Sequence, residues 1–179
     1  MKRFVLAALL LTLLILSLHA CGNRSPKLER ISLSEWEQIR HSHEGQVLVV
    51  NVWASWCRNC VELFPSMAAL RREYGPAGTQ FVFLCLDELA DPEEVKAAEN
   101  FLAKAFGDTP GVSSYHYIFE EDFADIMDRL SLPSLPSILV YDTAGQLRHK
   151  LSADELSNEV SPADVEDAIE SLIGPVGSA

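Results

Sequence analysis

Two thiols separated by two residues, Cys57 and Cys60 in the segment NVWASWCRNC (residues 51–60), carry the most evident chemistry in this chain. Such a pair can cross-link the backbone, ligate a metal, or open and close as a dithiol–disulfide couple. A structural zinc site needs four ligands, commonly a second pair of this kind or two histidines at matching spacing. The sequence has no second C-x-x-C, and His41 and His43 stand apart from the pair near an expected helix end. No metal is expected. As a static staple the pair closes a tiny loop and constrains the unfolded chain little, and a chain of 179 residues can build a core without it. A redox couple uses everything around the pair. Cys57 follows an apolar run and precedes a helical pattern, so the unpaired N–H groups and dipole of the helix start favour its thiolate. A thiol with a pKa of about 8.5 is roughly 3% ionised at pH 7, and one lowered to about 7 is roughly half ionised. Arg58 adds a positive charge that tunes the same thiolate. Cys60, one turn further in, is shielded and placed to resolve a mixed disulfide. Trp56 suits an apolar rim that positions a substrate, whereas Trp53 fits either that rim or the core.

The elements that must hold the pair can be read from the pattern. A continuous β-branched run, QVLVVNVW (46–53), predicts a strand buried on both faces just before the cysteines. VELFPSMAALRREYG has apolar residues at helical spacing up to Gly75, and TQFVFLCLD (79–87) predicts a second buried strand. Cys85, in the middle of that strand, is expected to behave as a small hydrophobe. Residues 91–107 predict a helix opened by Asp91 and Pro92, and SYHYIF a short strand. EEDFADIMDRL is helical, PSILVYD a strand, and the DTAG turn leads into QLRHKL as a hairpin. Ser161 and Pro162 open a closing helix. Upstream, SLSEWEQIRHSHEG predicts a short helix with a capping box formed by Ser34 and Glu37 and a stop at Gly45. The expected fold class is α/β: a mixed central sheet flanked by helices, with a helix that begins at the cysteines joining the first two buried strands.

Hydrophobic residues make up 48% of the chain and charged ones 22%, with a formal charge of −12 and no basic run. That excludes a phosphate-backbone partner, so no nucleic acid is expected. The domain itself is expected over residues 31–173, with a loose tail at 174–179. Residues 1–20 are set apart from it: Lys2 and Arg3, then the apolar run FVLAALLLTLLILSL, too short for a comfortable membrane span. The run ends in LHAC, which resembles a bacterial lipobox with Cys21 as the lipid-accepting residue and His19 as a departure. The expectation is a lipoprotein-type signal peptide at 1–20, a tether at 21–30, and a membrane anchor through lipid on Cys21. An uncleaved signal anchor would put the domain on the same side.

VVNVWASWCRNC resembles the active-site segment of thioredoxin-fold proteins and is most similar to the membrane-anchored TlpA/ResA-like thiol–disulfide oxidoreductases. The match extends to Pro65, where that family has a helix-kinking proline, and to the distant LPSLPSILVYD. There the resemblance implies a cis-proline at Pro136 facing the cysteines, with Leu135 and Pro136 positioning the client, and a strand–helix insertion over 79–106. It covers residues 31–173. The chain departs from the pattern at Arg58-Asn59, which lacks a proline. It also has Asn51 where thioredoxins carry a buried Asp, and Leu63 where TlpA/ResA-like proteins often carry a Glu. Glu62 is the nearest acid and is expected to face solvent, which leaves the proton-accepting group open, water included.

The resemblance implies an extracytoplasmic, monomeric thiol–disulfide oxidoreductase of the bacterial cell envelope that needs no cofactor. Cys57 and Cys60 exchange disulfides with client proteins, with reduction the favoured direction, and a membrane or extracytoplasmic electron donor restores the pair. The alternative is a redox-inert or metal-carrying binding lipoprotein on a thioredoxin-like fold. Copper carriers of related fold use a longer cysteine spacing with a histidine, and a peroxidase would want a Thr where Ala54 stands.

Overall fold

The computed structural model describes residues 26–106, 115–153 and 159–175. The leader expected at 1–20, Cys21 and residues 176–179 of the expected tail lie outside the described residues. No helix among the described residues is long and apolar enough to cross a membrane.

The core is organised around β2 (Val47–Trp53), whose seven residues are all buried. Val47, Val49 and Trp53 enter one apolar cluster, and Leu48, Val50 and Val52 another. A strand apolar on both faces has to be covered on both. On one face lie α2 (Arg58–Tyr74), α3 (Pro92–Phe106) and α5 (Pro162–Ile173), through residues such as Phe64, Leu102 and Ile169. On the other lie α1 (Leu33–Ser42) and α4 (Phe123–Arg129), through Trp36 and Ile126. The remaining strands are β1 (Glu29–Ile31), β3 (Thr79–Cys85), β4 (Tyr115–Phe119), β5 (Ser137–Tyr141) and β6 (Leu147–Ser152). They form one six-stranded sheet in the order β1-β4-β3-β2-β5-β6. The β1, β4, β3 and β2 neighbours run parallel, and β5 and β6 run antiparallel. This is the mixed α/β sheet of a thioredoxin-like fold, and the strand and helix expected over 79–106 are β3 and α3.

Local chemistry explains the boundaries. Asp91 Oδ1 accepts from the N–H groups of Glu93 and Glu94 at 2.9 and 3.3 Å, opening α3 ahead of Pro92. Ser161 caps α5, with Asp164 completing the box. Pro65 lies inside α2 and has no N–H to return to the carbonyl of Val61. In the hairpin, Asp142 accepts from Ala144 and Gln146, while Gly145 adopts a φ of 70°.

Two elements differ from the sequence expectation. The capping box of α1 is Ser32 with Glu35, two residues before the expected Ser34 and Glu37. Both pairs have the right spacing, but β1 ends at Ile31 and the chain enters the helix at once. Glu37 pairs instead with Arg40 at 2.8 Å. The last residues of the stretch read as a tether are in the sheet, because Glu29–Ile31 pairs with β4. That strand is three residues long with one of them buried, too short to show a period.

His116 on β4 lies 5.1 Å from the ring centroids of both Phe83 and Phe106. Burial, with Arg71 a lesser cause, pushes its imidazole down to about 3. The unfolded chain binds this proton near pH 6.5 and the fold does not. The contribution to stability is therefore complete above pH 6.5 and is lost as the pH falls toward 3. The slope approaches roughly 1.4 kcal/mol per pH unit. Urea unfolding across this range should show a shallower acid slope for His116→Gln than for the wild type; equal slopes would refute a neutral buried imidazole.

Candidate functional site

Strand β2 stops at Trp53, and residues 54–57 make a tight turn in which the Cys57 N–H donates to the Ala54 carbonyl at 3.1 Å. Cys57 is the N-cap of α2, with an extended backbone at φ −83° and ψ 103°. Its sulfur accepts from the Cys60 N–H at 3.2 Å, and its carbonyl accepts from Val61 at 3.1 Å. A sulfur in this position meets one of the unpaired N–H groups of a helix start, the arrangement that favours negative charge there. Cys57 and Cys60 are joined as a disulfide with their Cα atoms 5.2 Å apart. Cys57 keeps 9% of its surface exposed and Cys60 none.

Cys57 lines an open cleft of about 520 Å³. Trp56, Arg58 and Asn59 form one side, and Phe123, Met127 and the Pro133–Leu135 segment the other. Trp56 is 55% exposed and meets Phe123 edge-on, with ring centroids 5.5 Å apart. The Leu135–Pro136 peptide bond is cis. Leu135 faces the cysteine cleft, while Pro136 is buried and lines a smaller cavity with Asn59, Leu63 and Val160. The structure therefore gathers Trp56, Cys57, Arg58 and Leu135 around one cleft, with Cys60 and Pro136 behind it.

Arg58 is fully in solvent and donates through Nε to Glu62 at 2.8 Å, a pairing that raises its pKa. Glu62 faces solvent as expected. Asn51 is buried in β2 between Phe83 and Ile138, and Leu63 is buried in α2. Phe123 and Met127 were not singled out by sequence reasoning, because a short helix far along the chain gives no sign of which strand end it will overhang. Asp87 was also missed. It follows β3, keeps 4% exposure, and accepts from the Ser55 N–H at 3.0 Å, the Ser55 hydroxyl at 3.1 Å and the Cys85 thiol at 3.1 Å. Its one sequence signal was an acid placed directly after the apolar run FVFLCL (81–86). Burial raises the pKa of Asp87; burial, followed by the Asp87 charge, raises that of Cys85 well above the ordinary thiol. Cys85 is the buried small residue that its strand position implied.

The unequal exposure of the two sulfurs sets an expectation. After reduction, iodoacetamide at neutral pH should alkylate Cys57 at least about tenfold faster than Cys60, as read by peptide mapping. Equal labelling would mean that the helix start does not distinguish them.

Comparison with known proteins fits this geometry. The thioredoxin-like protein YneN of Bacillus subtilis is 30% identical over 53 residues, 30% of this chain and 31% of that protein, so the match spans under a third of that relative's length. A thiol-disulfide isomerase of Corynebacterium glutamicum superposes with a TM-score of 0.58 at 18% identity, covering 86% of this chain and 99% of the other. A secreted Mycobacterium tuberculosis disulfide oxidoreductase homologous to Escherichia coli DsbE gives a TM-score of 0.55 at 19% identity, covering 74% and 86%. At these identities the superpositions establish the shared fold. The redoxin family model matches residues 24–169, from before β1 into α5, and on that span the chain belongs to the redoxin family.

Proposed function

We propose that this redoxin-family oxidoreductase exchanges disulfides with client proteins, reducing them, on the outer side of the cytoplasmic membrane. The observation that carries the reading is the pairing of a helix-capping, cleft-facing Cys57 with a fully buried Cys60 three residues on. In the reduced protein the Cys57 thiolate attacks one sulfur of a client disulfide, and the client's other sulfur leaves as a thiolate. Cys60 gives up its proton and attacks Cys57 Sγ, forming the 57–60 bond and releasing the second client thiolate. Two electrons pass from the pair to the client. A membrane or extracytoplasmic dithiol donor then restores the pair.

The cleft suits an extended client. Trp56 and Leu135 supply apolar contact beside Cys57, and the Leu135 backbone, held by Pro136, offers edge pairing to a client strand. Arg58 adds a positive charge near the sulfur, although its pairing with Glu62 spends part of it.

The envelope location rests on the leader-like residues 1–20 and on Cys21, and the secreted M. tuberculosis protein of the same fold is in keeping with it. Mass spectrometry of the mature chain should find lipid on an N-terminal Cys21. An intact Met1 would instead mean a signal anchor, and a free N-terminus without lipid would remove the anchor.

For the exchange itself, Cys60→Ser should accumulate mixed disulfides between Cys57 and clients, visible as mobility-shifted species that dithiothreitol abolishes. Cys57→Ala should form none. In the wild type, a reduction potential of the pair near about −270 mV fits a reductant, and one near about −120 mV would reverse the proposed direction.

A further inference from the structure

We propose that Asp87 is a positioning residue for the exchange reaction: from behind the 54–57 turn it fixes Ser55, and through Ser55 the direction in which Trp56 and Cys57 meet the cleft. The turn is closed by the Cys57 N–H on the Ala54 carbonyl, which leaves the N–H of Ser55 to find a partner outside it. The Asp87 carboxylate is that partner, with oxygens at 3.0 and 3.1 Å from the nitrogen. The same carboxylate takes the Ser55 hydroxyl at 3.1 Å. One residue earlier, the Leu86 N–H donates to the Trp53 carbonyl at 2.8 Å, so the ends of β2 and β3 are stitched together just where the turn departs. Asp87's hydrogen bonds go to Ser55 and to Cys85, so its effect on Cys57 runs through the turn.

The arrangement costs stability, which argues that it is kept for position. None of the ion pairs among the described residues includes Asp87, and a buried charge without a cation is unfavourable. What compensates is convergence of three donors: the Ser55 N–H, the Ser55 hydroxyl and the Cys85 thiol. An ionised carboxylate accepts all three, whereas a protonated one carries a donor of its own and has to rearrange that set. The groups facing it are Ser55 from the turn, Cys85 from β3 and Glu94 from α3, whose carboxylate holds the Glu88 N–H at 3.0 Å. The Glu94 charge and burial both favour the protonated form. The turn should therefore loosen in mild acid, at a pH above the usual aspartate range, independently of the cysteines.

The test is the alkylation rate of Cys57 in the reduced full-length chain, measured with iodoacetamide from pH 4 to 9 and mapped by peptide. This inference rests on Cys57 being the attacking thiol, and the Cys57-to-Cys60 labelling ratio reports that reading separately, with no client present. Asp87→Asn should slow Cys57 alkylation roughly tenfold near neutral pH, erase the acid-side inflection of the rate profile, and leave the thermal midpoint unchanged or higher. Ser55→Ala, which removes only the hydroxyl bond, should slow it a few-fold. An Asp87→Asn chain with the wild-type rate and profile overturns the proposal. If that variant does not fold, Ser55→Ala decides: slower alkylation supports the role, and wild-type alkylation overturns it.

Discussion

The whole arrangement depends on β2 being apolar on both faces. That requirement forces helices onto both sides of the sheet and makes β2 a central strand, with β3 parallel on one side and β5 antiparallel on the other. The registers then dictate the site. Trp53 sits opposite Cys85 in the parallel pair, so the chain leaving β2 runs beside the chain leaving β3. Val52 sits opposite Ser137 in the antiparallel pair, so the same end of β2 lies beside the residues that enter β5. Three segments distant in sequence, the 54–57 turn, Leu86–Asp87 and Leu135–Pro136, meet at one end of one strand. A slip of one residue in either pairing would turn the core side chains of that strand to the wrong face, so the packing of the core fixes the alignment of the site.

Legibility from the sequence followed how local each signal was. β2 and β3 were readable because runs this rich in apolar residues, VLVVNVW broken only by Asn51 and FVFLCL unbroken, have few other uses. α5 was readable because Ser161 and Pro162 mark its start within two residues. β1 was not, since three residues with one buried side chain carry no period and depend on β4, more than eighty residues away, for their hydrogen bonds. The capping box of α1 was legible as a type and misplaced by two residues, because two Ser-x-x-Glu spacings overlap and only the end of β1 selects between them. At the site, Cys57 and Cys60 declared themselves by spacing and context. Pro136 could be pointed to only through family resemblance. Asp87 showed only as an acid after an apolar run, and nothing pointed to its partner Ser55, which is set by the parallel register and stands 32 residues away.

Two positive influences on the Cys57 sulfur were apparent in the sequence, and the structure separates them. Arg58 is adjacent in the chain, but its guanidinium is 88% exposed and bonded to Glu62 at 2.8 Å. A charge in that setting is screened by water and salt, and the carboxylate bonded to it offsets part of it. The Cys60 N–H lies 3.2 Å from Cys57 Sγ on the buried side of the turn, where water screens less and the group cannot turn away. The helix start is thus the stronger of the two. The same geometry gives the second thiol its character. Cys60 supplies that N–H from inside the first turn, so the residue whose backbone meets the Cys57 sulfur carries its own sulfur on the shielded side. Accessibility of one sulfur and enclosure of the other are two consequences of starting a helix at Cys57, and they need no further device to keep the two thiols distinct.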